Sequence, residues 1–136
     1  MFVYKAAVVG AGRMGSAIAQ LIASAGIAVV VCDVDPAALQ AALQGIRTAT
    51  AEGLEALVAK QAMTREQADE ELARTLARVA ATTAYEGFGD VDIAIEAVPE
   101  RPALKQQVFA QLDAATPGHA TLASATSACS ISDRGS

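Results

Sequence analysis

The most constraining feature of this sequence is a glycine pattern between two apolar segments. Residues 5–9, KAAVV, form a short apolar run, and residues 10–15, GAGRMG, follow at once. Apolar residues then recur at helical spacing until Gly26, a residue type that commonly ends a helix. The pattern predicts a strand, a tight turn and a helix in direct succession. By itself it is equally typical of a structural turn and of a loop that holds phosphate groups.

The segment that follows favours the phosphate loop. Residues 28–32, AVVVC, predict a strand covered on both faces, and Asp33 stands at its end, 18 residues after Gly15. This spacing is close to the ~20 residues of the dinucleotide fingerprint. In that fingerprint Gly10 makes the turn, Gly12 admits the pyrophosphate and Gly15 lets the helix pack closely. Asp33 would bind both adenosine ribose hydroxyls and repel a 2′-phosphate, which predicts NAD rather than NADP.

The rest of the chain alternates between strands and helices. Asp35-Pro36 begins a long helical hairpin that continues to about residue 78, with a capping box at Thr64 to Gln67. Further predicted elements are short strands at 79–83, 92–98 and 121–124 and a helix from Pro102. The order β-α-β-αα-β-β-α-β predicts an α/β fold: a Rossmann-like, doubly wound parallel sheet with a helical hairpin insertion after the second strand.

The apolar residues of each helix predict which face is buried. In the first helix the expected inward positions are Met14, Ile18, Leu21, Ile22 and Ala25. In the hairpin and at its end they are Leu39, Leu43, Ile46, Leu54, Leu57, Val58, Ala68, Leu72, Leu76 and Val79, and in the last helix Leu104, Val108 and Leu112.

Composition excludes several other classes of protein. The 136 residues suit one domain, 53% are hydrophobic, and the formal net charge of −5 argues against a nucleic-acid partner. No apolar run reaches the roughly 18–20 residues of a membrane span. Cys32 and Cys129 form no CxxC pair and are expected to be reduced thiols in a cytoplasmic protein. With His119, which is expected in a surface turn, they have no metal-ligand spacing.

Three segments together carry a resemblance to a known family. VVGAGRMGSAIAQ (8–20), DIAIEAVPERPALKQQVFAQLD (92–113) and LASATSACSIS (122–132) occur in the same order as in the NAD-binding domain of the 3-hydroxyacyl-CoA dehydrogenases. The chain resembles that domain from about residue 5 to 132. The family comprises β-oxidation enzymes and their butyryl-CoA and adipyl-CoA relatives, so the resemblance implies hydride transfer from C3 of a 3-hydroxyacyl-CoA to NAD.

The resemblance and the fingerprint together give the expected site. Glu100 and Lys105 match the family's cofactor-contacting Glu and Lys, and Ser127 matches the serine that binds the substrate's 3-oxygen. The helical hairpin matches the arm that helps to hold the CoA. The residues expected to contact the cofactor are Gly10, Ala11, Gly12, Arg13, Met14, Gly15, Asp33, Ala97, Glu100 and Lys105, and the expected catalytic residue is Ser127.

Other roles stay open for several of these residues. Arg13 and Lys105 also suit solvated surface positions, Glu100 also suits a helix N-terminus, and the hydroxyl groups near Ser127 also suit backbone hydrogen bonding. The chain departs from the family at Arg101 and Ala125, where asparagine is usual. The departure at Ala125 removes an amide beside the serine and puts substrate and rate in doubt.

The resemblance also leads to expectations about the whole protein. The family's catalytic histidine and its partner glutamate lie downstream of residue 136, so the chain is expected to be one NAD-binding domain, 1–136, incomplete at its C-terminus. An acyl-CoA substrate and a homo-oligomeric full-length protein are implied, with neither nucleic acid nor membrane as partner. The alternatives are another Rossmann dehydrogenase, such as a hydroxyacid or imine reductase, and a non-enzymatic NAD-sensing module.

Overall fold

The short apolar runs become the strands of one parallel sheet. The computed structural model describes residues 3–85, 88–98, 102–116, 118 and 120–124, without the side chains of 102–105. The strands are β1 (Lys5–Val9), β2 (Ala28–Cys32), β3 (Val79–Thr82), β4 (Ile93–Glu96) and β5 (Thr121–Ser124). The helices are α1 (Arg13–Ser24), α2 (Pro36–Ala59), α3 (Arg65–Ala77) and α4 (Pro102–Ala115). The strand order is β3-β2-β1-β4-β5, with every pairing parallel, which confirms the predicted doubly wound α/β fold.

Alternation along the central strands divides the core into two layers. In β1, Ala6 and Val8 face α1 and α2, whereas Ala7 and Val9 face the opposite layer, which contains residues of α4. All four are at most 5% exposed. A strand buried on both faces has to be apolar at every position, because each side chain meets one layer or the other. The continuous runs in β1 and β2 therefore follow from their central place in the sheet.

The predicted inward face of α1 is wrong at three positions. Met14, Leu21 and Ala25 are exposed, whereas Gly15, Ala19 and Ala23 are buried. The helix packs against the sheet through its smallest residues because Gly15 brings its first turn almost into contact with the Gly10 carbonyl. Ile18 and Ile22 flank this narrow stripe and are half-buried. Size, rather than hydrophobicity alone, decides which face of this helix is buried.

The helical hairpin after β2 is confirmed as α2 and α3. Asp35 caps α2 by accepting from Ala37 N at 3.0 Å, and Thr64 and Gln67 form the capping box of α3. Across its 24 residues α2 is about 36 Å long. Its buried residues are Leu39, Ala42, Ile46 and Thr50, all in its first two thirds. The apolar face predicted for the last third of α2 is therefore not fully buried, and Leu57 is 39% exposed.

The segment between β3 and β4 packs on the sheet without forming a helix in the part that the structure describes. Phe88 is 0% exposed and belongs to the core layer that contains Val108 and Leu112 of α4. The strand predicted at 92–98 is shorter, Ile93–Glu96, and just beyond its end Val98 N donates to the Glu96 side chain. Among the described residues no helix has the length and apolar character needed to cross a bilayer.

Candidate functional site

A cavity of about 910 Å³ opens at the carboxyl ends of the central strands. From β1 the chain proceeds through α1 to β2 on one side, while β4 lies on the other side of β1. This reversal is the position at which doubly wound sheets bind ligands. The cavity is lined by Val9, Gly10, Gly12, Arg13, Met14, Cys32, Asp33, Val34, Ala38, Thr83, Tyr85, Ala97, Val98, Gln107, Val108 and Gln111.

Two of the three loop glycines are required by close packing. Gly10 has φ +107°, and a Cβ there would lie 2.6 Å from the carbonyl oxygen of Ala97. A Cβ on Gly15 would lie 1.8 Å from the carbonyl oxygen of Gly10. Both distances are far inside van der Waals contact, so a side chain at either position would displace backbone. The loop, the end of β4 and the first turn of α1 are thus packed backbone to backbone.

Gly12 has a different role from its two neighbours. It is the N-cap of α1, it has φ −73°, and a Cβ built on it meets nothing within 4 Å. Because Gly12 lines the cavity, the space above it belongs to the cavity. No side chain caps the helix here, and the first N–H groups of a helix have no partner within the helix. Such a helix end attracts phosphate groups. Arg13 and Met14, both exposed, line the same cavity.

Asp33 is held at the end of β2 by two backbone hydrogen bonds. Its Oδ2 accepts from Ala11 N at 2.9 Å, and its Oδ1 accepts from Asp35 N at 2.9 Å. The carboxylate therefore joins the glycine loop to the start of α2. Each carboxylate oxygen has capacity for a further hydrogen bond, so the group still suits a ligand hydroxyl. Ala11 itself is buried and contributes through this N–H rather than as part of the cavity lining.

Several apolar residues also line the cavity, among them Val98 and Val108, and with them lies a pair of polar side chains that no sequence pattern predicted. The Tyr85 hydroxyl donates to Gln111 Oε1 at 2.8 Å, and its ring packs edge-on against Phe88 with centroids 5.3 Å apart. The bond joins the segment after β3 to α4. No spacing rule relates two residues 26 positions apart, so no sequence signal could have found this pair.

Two groups that line the cavity, Cys32 and Tyr85, have raised pKa values. Burial, together with the negative charge of Asp33, raises the pKa of the Cys32 thiol to about 11. Burial also raises the pKa of Tyr85. The Cys32 thiol is a weak donor to the Ala84 carbonyl at 3.4 Å. Both groups are thus neutral near pH 7 and add no charge to the cavity.

The structure brings eight of the eleven predicted site residues to this end of the sheet. They are Gly10, Ala11, Gly12, Arg13, Met14, Gly15, Asp33 and Ala97, of which Ala11 and Gly15 support the cavity lining from behind. Glu100, Ser127 and the side chain of Lys105 lie outside the described residues, as do Cys129 and His119. Within the described ranges no three His, Cys, Asp or Glu side chains are grouped to hold a metal ion.

The fold and the site together define a class of protein. A doubly wound parallel sheet, a glycine loop before α1 and an acidic residue at the end of β2 are the features of a Rossmann dinucleotide-binding domain. The family model described as "3-hydroxyacyl-CoA dehydrogenase, NAD binding domain" matches residues 5–134. The chain belongs to this family.

Three relatives illustrate the similarity. The glyoxysomal fatty acid beta-oxidation multifunctional protein MFP-a of Brassica napus is 34% identical over 96% of this chain and 17% of its own length. The crystal structure of (S)-3-hydroxybutyryl-CoA dehydrogenase PaaH1 from Ralstonia eutropha has a TM-score of 0.75 at 32% identity, over 90% of this chain and 41% of that one. The crystal structure of 3-hydroxybutyryl-CoA dehydrogenase from Escherichia coli has a TM-score of 0.77 at 33% identity, over 93% of this chain and 25% of that one. The chain thus spans less than half the length of each.

Proposed function

We propose that this chain is the NAD-binding part of an NAD-dependent L-3-hydroxyacyl-CoA dehydrogenase, with residues 1–136 acting as one domain. The observation that carries the proposal is the joint placement of Gly12 and Asp33 at one cavity. Gly12 leaves open the space that a pyrophosphate needs, and Asp33 stands where an adenosine ribose would follow. Membership of the family supports an acyl-CoA, rather than another oxidised metabolite, as the substrate class.

The arrangement of the described residues fits the cofactor. The unpaired N–H groups of the first turn of α1 would bind the pyrophosphate, with Arg13 at the mouth of the same cavity. Asp33 would accept from the ribose hydroxyls, and its charge would disfavour NADP. Apolar residues that line the same cavity, including Val34 and Val108, would cover the adenine. When bound, the nicotinamide would supply the hydride acceptor, and the protein would contribute orientation.

The remaining roles come from the family motif and are part of the proposal. Glu100 and Lys105 would contact the cofactor, and Ser127 would donate a hydrogen bond to the oxygen on C3 of the substrate. Such a bond strengthens as charge develops on that oxygen, so it would favour the transition state. Arg101 and Ala125 stand where asparagine is usual, and we expect them to alter substrate preference rather than the reaction.

Partners and location follow from the same reasoning. We propose an acyl-CoA as the substrate, held in part by the hairpin of α2 and α3, and a homo-oligomer as the form in which the domain works. Nucleic acid is not proposed as a partner, because the chain carries a net charge of −5. A membrane is not proposed either, because no apolar run of this sequence reaches the roughly 18–20 residues of a span. A cytoplasmic location is proposed, as for a protein with reduced cysteines.

The test is a comparison of substrates with the full-length polypeptide, of which residues 1–136 are proposed to be the NAD-binding part, rather than with the 136-residue chain alone. Acetoacetyl-CoA, a 2-oxo acid and a cyclic imine are each offered with NADH, and NADH oxidation is followed by absorbance. We expect turnover with acetoacetyl-CoA, because the family's substrates carry an oxygen at C3 of an acyl-CoA. Preferred turnover of the 2-oxo acid or the imine would assign the domain to another class of Rossmann reductase. NADH binding without turnover of any substrate would indicate a sensing module.

A further inference from the structure

A buried carboxylate lies at the end of β4, one residue before the cavity lining. The Glu96 side chain is 0% exposed. Its Oε2 accepts from Val98 N at 2.7 Å, and its Oε1 accepts from Ser124 Oγ at 3.0 Å. Glu96 and Ser124 are register partners on the neighbouring strands β4 and β5. One carboxylate therefore joins the turn that follows β4 to the end of β5.

The hydrogen bond from Val98 N to the Glu96 side chain lies where the backbone leaves the sheet. Ala97 N still donates to Val9 O at 2.7 Å, as a continuing strand would. The next N–H, that of Val98, turns back to Glu96 instead. Ala97 and Val98 then line the cavity, and the Ala97 carbonyl packs so closely on Gly10 that a Cβ could not fit between them. The turn and the glycine loop are thus packed directly against each other, so a shift of the turn would require a shift of the loop.

Burial of the Glu96 side chain has a desolvation cost. Removing a polar side chain from water is unfavourable unless hydrogen bonds compensate it, and an apolar side chain at this position would avoid that cost. What the carboxylate adds is a pair of acceptors that two different strand ends share. Two shared hydrogen bonds fix the backbone at the ends of β4 and β5 relative to each other. Glu96 lies beside the reversal in strand order, where the ligand is expected to bind.

We propose that Glu96 is a positioning residue for the cofactor, which holds the β4 exit turn, residues 96–98, against the glycine loop and in register with β5. The inference rests on the proposed NAD-binding function. It assigns Glu96 to the part of the site around Gly10, where the pyrophosphate and the groups beyond it would lie. Asp33, by contrast, serves the adenosine end.

The test compares two ligands of different length on four variants of the chain. NADH affinity is measured by fluorescence titration, and AMP affinity by ligand-observed NMR, because AMP stops at its first phosphate. The variants are Glu96→Ala, Glu96→Gln, Ser124→Ala and, as a control, Thr50→Ala. Thr50 is a buried polar residue of α2 that donates to Ile46 O at 2.7 Å and lies outside the cavity lining. Urea unfolding of each variant gives its free energy of unfolding.

A positioning role predicts a selective loss. Glu96→Ala should weaken NADH binding by about tenfold or more, since small misplacements of a binding geometry are costly, and should weaken AMP binding by a smaller factor. Glu96→Gln should restore NADH affinity, because its amide oxygen can accept from Val98 N and its amide N–H can donate to Ser124 Oγ. Ser124→Ala should give an intermediate loss. Thr50→Ala should lower the free energy of unfolding and leave both affinities unchanged.

Several results would overturn the inference without affecting the proposed function. They are wild-type NADH affinity in Glu96→Ala, an equal loss for NADH and AMP, and a Glu96→Gln variant as weak as Glu96→Ala. If Glu96→Ala does not fold, Ser124→Ala decides, and an unchanged ratio of NADH to AMP affinity in that variant would reject the proposal. Absence of NADH binding by the folded wild-type chain would remove the proposed function and this inference together.

Discussion

Among the described residues that line the cavity, Asp33 has a side chain that accepts two backbone hydrogen bonds. Its two oxygens hold Ala11 N of the glycine loop and Asp35 N at the start of α2. A carboxylate proposed to select the cofactor therefore also fixes the loop that would hold the phosphates. A substitution made to change cofactor preference should consequently weaken phosphate binding as well.

Asp33→Ala should weaken NADH binding by about 1.5–3 kcal/mol, the scale of hydrogen bonds to a charged group. Discrimination against NADPH should fall, because the charge that repels a 2′-phosphate is gone. Titration of both cofactors measures the two effects. Asp35→Ala is the matched control: it removes a neighbouring carboxylate that caps α2, which should cost about 1 kcal/mol of stability and leave NADH affinity unchanged. Unchanged NADH affinity in Asp33→Ala would remove Asp33 from the site.

Gly12→Val should abolish NADH binding while the fold survives. A Cβ at this position meets nothing within 4 Å and φ is an allowed −73°, but the methyl groups of valine would occupy the space proposed for the pyrophosphate. Gly45→Val, on an exposed part of α2 with nothing within 4 Å, is the control for adding the same side chain. Fluorescence titration and thermal unfolding give the two readouts. Wild-type NADH affinity in Gly12→Val would contradict the phosphate loop.

Cys32 predicts a particular dependence of stability on pH. Its pKa is about 11 in the folded chain and 9.0 for an ordinary thiol, so the folded state retains a proton that the unfolded state loses. The free energy of unfolding should therefore be independent of this group below about pH 9 and should fall between about pH 9 and 11. Urea unfolding across this range, with Cys32→Ala for comparison, measures the slope. An equal slope in the two proteins would show that Cys32 does not titrate as described.

At the scale of helices and strands, the sequence predicted elements well where the signal is local, as in a helix cap or a continuous apolar run. The cap at Asp35, the capping box at Thr64 and the apolar runs of β1 and β2 predicted their elements nearly to the residue. The buried face of α1 was not predictable from hydrophobicity, because the close approach at Gly15 selects small side chains instead. Nor was the end of β4, just beyond which Val98 N donates to the Glu96 side chain.

The capping box of α3 should contribute to stability and not to binding. Thr64 Oγ1 accepts from Gln67 N at 3.1 Å, and Gln67 Oε1 accepts from Thr64 N at 3.0 Å. Thr64→Ala should lower the free energy of unfolding by about 1 kcal/mol, because it leaves a helix N–H without its partner. Chemical unfolding measures this loss, and NADH titration of the same variant should give the wild-type affinity. A large change in NADH affinity would mean that the hairpin is coupled to the cofactor cavity.

For the molecule as a whole, the doubly wound parallel sheet could be predicted, but the residues that line the cavity opposite the glycine loop could not. Right-handed crossovers restrict a chain with this order of elements to few topologies, so the glycine loop and Asp33 had to meet at one end of the sheet. Tyr85 and Gln111 meet there as well, yet only the path of the chain after β3 brings them together. The roles of Glu100, Lys105 and Ser127 remain predictions.

The 136-residue chain should bind NADH without oxidising it in the presence of acetoacetyl-CoA. Its one histidine, His119, does not match the position of the family's catalytic base, and general-base catalysis is typically worth about 10²–10⁴-fold in rate. Absorbance of reduced nicotinamide measures turnover, with the enzyme from a characterised family member as the positive control. Robust turnover by this chain would show that another of its residues moves the proton.

The proposal that this chain forms an NAD site between the glycine loop and Asp33 can be tested by one titration. NADH and NADPH are added separately to the folded 136-residue chain, and nicotinamide fluorescence is recorded while circular dichroism verifies the fold. We expect saturable binding of NADH that is tighter than that of NADPH. A folded chain that binds neither cofactor, or that prefers NADPH, would contradict it.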